Sequence, residues 1–198
     1  MSARTIASIV IALSWPIAAH AQHASPPSQG VARAPREASQ YDFLVGQWSL
    51  TVTPKASTLA QRIHGVRKLG GTWSAWRALD GWGIEDELRI VDASGNPQTF
   101  VHFTRFYDPR ARHWNVSGID VYRQQLTQSV AELQGDAMTA LADGTDGDGK
   151  AYRSRTRLTR IAADAFRYQQ DRSYDGGRTW DEGLVVIDAK RVSATAPR

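Results

Sequence analysis

The stretch Tyr41-Asp42-Phe43-Leu44-Val45-Gly46-Gln47-Trp48, continuing as Ser49-Leu50-Thr51-Val52-Thr53, decides how this chain folds. Its first half is apolar at Tyr41, Phe43, Leu44 and Val45 without alternation, which predicts a short turn of helix or a tucked lead-in. Gly46 breaks that segment. From Trp48 the pattern has period two, with Trp48, Leu50 and Val52 on one face and Ser49, Thr51 and Thr53 on the other. A strand apolar on one side only must belong to a sheet that covers that side.

The rest of the chain supplies the sheet. After a segment from Ser57 to Lys68, where Leu59, Ile63 and Val66 stand at helical spacing, Thr72–Leu79 reads as a strand. Asp80-Gly81 suits the positive φ of a tight hairpin and leads into Trp82–Val91. Thr99–Tyr107, His113–Tyr122, Thr127–Gln134, Met138–Ala142, Lys150–Ile161, Ala165–Ser173 and Trp180–Val192 follow, each bounded by turn residues. About ten consecutive strands on short turns predict an all-β, up-and-down antiparallel β-barrel.

Residues 1–21 carry one basic residue, Arg4, a short apolar run from Ile6 to Leu13, and Ala19-His20-Ala21 before Gln22. That is the pattern of a secretory signal peptide, and it predicts a periplasmic or secreted protein. The run is too short to span a bilayer. Residues 22–39, rich in Pro, Ser and Ala, read as a disordered linker, residues 40–192 as the single barrel domain, and 193–198 as a tail. The chain has no cysteine, which excludes disulfides and thiolate metal sites. Its basic residues form no clustered run, so no nucleic-acid partner is expected, and nothing in the pattern names an oligomeric state.

Few constellations carry chemistry. Ser173-Tyr174-Asp175-Gly176-Gly177-Arg178-Thr179-Trp180 fits the Asp-box hairpin of sialidase propellers, but it occurs once in a chain too short for a propeller. Asp175, Gly177 and Trp180 are therefore structural, as turn acceptor, positive-φ residue and packing ring. Asp143–Gly149 fails the EF-hand pattern, with Gly147 at position five and Ser154 at position twelve, and reads as a solvated turn. After the expected cleavage the chain keeps four histidines, His23, His64, His102 and His113, none three or four residues from another, and no phosphate loop or dinucleotide fingerprint is present, so neither metal nor cofactor is expected. Arg153, Arg155 and Arg157 share one strand face, expected outward because three unpaired buried cations are prohibitive.

Two resemblances bear on these residues. Gly46-x-Trp48 at the start of the first strand resembles the opening of the calycin barrels, the lipocalins and fatty-acid-binding proteins. That likeness implies that Trp48 closes one barrel end against a basic residue of the last strand, Lys190 or Arg191. The ordered set Tyr41–Trp48, then Phe106-Tyr107-Asp108-Pro109 with Trp114, then Ser173–Trp180 resembles the DUF1579 family, domains of unknown function. It covers residues 40–192 and implies a lipocalin-like barrel without an established activity.

A barrel of this size has a lumen that side chains only partly fill. On Thr99–Tyr107, alternation separates Phe100, His102, Thr104 and Phe106 from Val101, Phe103, Arg105 and Tyr107. The first set carries no permanent cation and is expected to face inward, with Trp76 and Trp114 as aromatic walls. Trp76, Phe100, His102, Phe106 and Trp114 are thus the candidate binding residues for a small apolar or amphipathic ligand. Two alternatives stand beside this. One is an isomerase or hydrolase using luminal His102 with Asp86 or Asp120; the other is a non-catalytic structural barrel with a filled core.

Overall fold

The computed structural model describes residues 33–195; the expected signal peptide and linker residues 22–32 lie outside the described residues. Ten strands form one closed antiparallel barrel: β1 (Gly46–Pro54), β2 (Leu69–Ala78), β3 (Gly83–Asp92), β4 (Pro97–Asp108), β5 (His113–Asp120), β6 (Gln125–Gln134), β7 (Ala137–Thr145), β8 (Ala151–Ala162), β9 (Ala165–Ser173) and β10 (Asp181–Ser193). Each strand pairs with its sequence neighbours, and β1 pairs with β10 to close the ring. The order is the up-and-down meander expected from the turn residues. A single six-residue helix, α1 (Leu59–His64), interrupts the β1–β2 connection behind a Thr58 capping box.

One end of the barrel is plugged by the segment before β1. Asp42–Leu44 forms a 3-10 turn that tucks Tyr41 and Leu44 fully inside. Arg36–Ser39, expected to be flexible, also forms a 3-10 turn, because Ala38 finds a place in the core, 2% exposed. Trp48 is buried at this end, and the Arg191 guanidinium lies 4.0 Å from its ring centre. Arg191 donates to the carbonyls of Val45 (2.6 Å) and Phe43 (2.9 Å), while the Trp48 indole donates to the Leu44 carbonyl (2.7 Å). These bonds satisfy the carbonyls of a turn that would otherwise be buried unpaired. The glycine of the motif has its own reason. Gly46 has φ of +126°, and a Cβ there would meet Arg191 Nη1 at 2.6 Å and the Ser193 carbonyl oxygen at 2.5 Å.

At the opposite end, Ser173–Asp181 makes the β9–β10 turn. The Asp175 carboxylate accepts from the Thr179 amide (2.9 Å), the Arg178 amide (3.0 Å), and the Thr179 and Ser173 hydroxyls (both 2.7 Å). Those bonds, led by the Thr179 amide, hold the carboxyl well below the usual carboxylate range. A folded pKa below the unfolded one stabilises above the unfolded value, near 4, and the benefit is lost as pH falls from there toward the folded value. Asp175→Ala is therefore expected to lower the melting temperature at neutral pH. The difference from wild type should narrow as pH falls below about 4, which thermal unfolding across pH measures; a constant difference would contradict it.

Candidate functional site

Register and burial together assign every strand its inner face. On β1 it carries Trp48, Leu50 and Val52; on β3, Ile84, Asp86, Leu88 and Ile90. On β4 the inner face carries Phe103, Arg105 and Tyr107, with Arg105 3% and Tyr107 5% exposed, while Phe106 is 39% exposed. The expected face of β4 is thus reversed. Phe100, His102, Thr104 and Phe106 look outward, and so does Trp76 on β2, which meets the His102 ring at 6.0 Å.

The reason is a counter-charge. Asp86 on β3 is opposite Phe103 in register, so Arg105 is its diagonal neighbour on the inner face. Arg105 donates through Nε to Asp86 Oδ2 (2.6 Å) and through Nη2 to Oδ1 (3.0 Å), and the Trp73 indole adds a third bond to Oδ1 (2.8 Å). Burial works against the Arg105 charge, but Asp86 and then Tyr41 more than offset it and hold the group cationic. Its guanidinium sits between the rings of Phe103 (4.9 Å) and Tyr41 (5.0 Å). The Tyr41 hydroxyl is buried beside it without reaching hydrogen-bond geometry.

This cluster is the floor of a cup. Trp73 and Tyr41 belong to it, and Trp48, Trp114, Phe166 and Met138, fully buried as they are, fill the barrel below. Trp114 belongs there, edge-on to Tyr41 (4.8 Å between centroids) and donating to Gln40 (2.9 Å), so it is packing in a sealed base rather than an open wall. Above the floor the inner face changes character. Phe103, Tyr168, Ser154, Thr156 and Gln170 are half-buried, and solvent reaches the interior. At the rim, Arg172 stacks on Tyr152 (4.2 Å) and bonds the Tyr174 hydroxyl (3.1 Å), while its Nε is buried without a hydrogen-bond partner.

Among the described residues no luminal His–carboxylate pair forms. His102 faces Glu87 on the outer surface (Nδ1 to Oε1, 3.7 Å), Asp86 is inside with Arg105, and Asp120 bonds Arg123 (2.6 Å). The β8 arginines lie outside, as the desolvation cost requires, yet they are paired rather than simply solvated. Arg155 and Arg157 each reach Asp171 at 2.9 Å, and Gln169 (2.8 Å) and the Gly183 amide (2.9 Å) complete its shell. Burial pushes the Asp171 carboxyl up, but these bonds outweigh it and leave the carboxyl below its ordinary range. Trp180 lies under the Arg155 guanidinium at 4.3 Å, joining the turn to this cluster. Among the described residues no three His, Asp or Glu side chains converge on a metal position, and no helix is long and apolar enough to cross a membrane.

No family model and no curated protein matches the chain. Among solved structures it is similar to Rv2717c from M. tuberculosis, with a TM-score of 0.49 and 15% identity over 81% of this chain and 99% of that one. It is also similar to a redesigned β-barrel, mFAP0, bound to DFHBI, with a TM-score of 0.40 and 9% identity over 75% of this chain and 99% of that one.

Proposed function

We propose that the protein binds a small amphipathic molecule in the upper half of the barrel. The observation that carries this is a contrast within one lumen: side chains around and below the Arg105–Asp86 floor are fully packed, whereas beyond it the inner faces of β8 and β9, at Ser154, Thr156, Tyr168 and Gln170, are only half-buried. A stability-only barrel gains nothing from leaving these inner positions incompletely covered, since each missing contact forfeits packing energy. The cup chemistry suits a ring-bearing or chain-like apolar body with hydrogen-bonding groups. Phe103 and Tyr168 offer aromatic faces, and Ser154, Thr156 and Gln170 offer hydroxyl and amide partners. Arg105 is neutralised by Asp86, which leaves the unpartnered Nε of Arg172 at the rim as the donor for an acceptor group on the ligand.

An apolar fluorescent probe should bind the pure protein saturably. Ser154→Trp, which places an indole in the cup, should weaken that binding by at least about tenfold, with His102→Phe on the outer face leaving it unchanged. Binding that survives Ser154→Trp and falls with His102→Phe would move the site to the outer face. Affiliation with the DUF1579 family belongs to the same proposal, supported by the order of the three motifs. So does export, supported by the leader pattern of residues 1–21.

A further inference from the structure

The barrel wall is not evenly zipped. β5 pairs with β6 from Gln125 to Ala131, and β7 pairs with β8 along all of Ala137–Thr145. Between β6 and β7, however, pairing is confined to Val130–Gln134 against Ala137–Leu141. Gln125–Ser129 and Ala142–Thr145 therefore each bond a strand on one side only, and the two free edges diverge toward the open end. A pocket of about 610 Å³ lies at this split. It is lined by inward residues, Ser129 and Ala142 among them, and by outward ones such as Gln128 and Leu141. A hollow lined from both faces of a sheet is a cleft through the wall, not a groove on it.

Two further observations point the same way. Solvent reaches the inner face unevenly. Opposite the cleft Val52 and Ile90 stay buried up to the rim, 4% and 8% exposed, whereas beside it Ser129, Ala142 and Ser154 are half-buried and Thr127 is exposed. The cleft also has an apolar outer margin. The cross-strand pairs Ile119–Leu126 and Val130–Leu141 stand at its edges, 51%, 66%, 41% and 41% exposed. These four side chains put apolar surface directly beside the opening, where an apolar ligand would meet it.

We propose that the β6–β7 cleft is the entry to the cup and part of its binding site, and that the ligand is an elongated amphipath whose apolar end lies across this margin. The inference rests on the cup reading and refines it. Free strand edges are otherwise a hazard that proteins cover or pair, and an entry that ligand occupies uses them without adding a protein partner.

The absence of any cysteine makes the test clean. Continuing the Val130–Leu141 register places Ser129 opposite Ala142. In Ser129→Cys/Ala142→Cys, oxidation or a short bifunctional thiol reagent joins the two edges. A control, Ser49→Cys/Thr72→Cys, joins residues already paired between β1 and β2. Uptake of an apolar fluorescent probe is followed by stopped flow in each, against the unlinked form. The expected result is uptake slowed at least about tenfold by the β6–β7 link and untouched by the control. Equal rates for linked and unlinked protein overturn the entry while leaving the cup intact. No saturable binding in the unlinked protein overturns both.

Discussion

Replacing Arg105 with leucine is expected to lower the unfolding free energy by about 3–5 kcal/mol, because it leaves the Asp86 carboxylate buried without its cation. Two charge-assisted bonds go at once, and the remaining donor, the Trp73 indole, does not neutralise the charge. Removing both charges, in Asp86→Leu/Arg105→Leu, should recover much of the loss. The residue is the unmade bond of the Trp73 indole, about 1–3 kcal/mol. Urea unfolding of the two variants measures the difference. A double variant no more stable than Arg105→Leu would mean that the pair is not the reason an arginine tolerates the interior.

The second large effect is at the plugged end. Trp48→Ala should cost about 3–5 kcal/mol, since the ring is 1% exposed and packs edge-on to Phe166 at 4.6 Å as well as under Arg191. Arg191→Met keeps the apolar stem over the indole but abandons the carbonyls of Phe43 and Val45. It should be destabilised by less than Trp48→Ala, and the loss should be local, with faster hydrogen exchange in residues 41–45. Exchange that rises equally in all ten strands would contradict a plug that can open by itself.

The barrel itself was legible because every strand ends in a turn residue and most carry one clean apolar face. Gly46, Trp48 and the last-strand Arg191 were legible too, since only a glycine lets a guanidinium pass at that position. What failed was the face of β4. Both of its faces are aromatic, Phe100 and Phe106 on one, Phe103 and Tyr107 on the other, so alternation alone leaves the choice open. Treating Arg105 as an unpaired cation then decides it the wrong way. The signal was on β3, where Asp86 falls in phase with Ile84, Leu88 and Ile90. A carboxylate on that apolar face requires an inward cation from the adjacent strand. The pairing of Arg155 and Arg157 around Asp171 and the early end of β6–β7 pairing depend on register, which no single strand encodes.

Backbone and side-chain NMR of the labelled protein titrated with an apolar probe tests the central claim most directly. The expected result is chemical-shift change concentrated at Phe103, Ser154, Thr156, Tyr168 and Gln170, extending to Ser129 and Ala142, with Trp76, His102 and Phe106 still. Changes confined to the outer face of β2 and β4, or none at a saturating probe concentration, would contradict a ligand site inside the barrel.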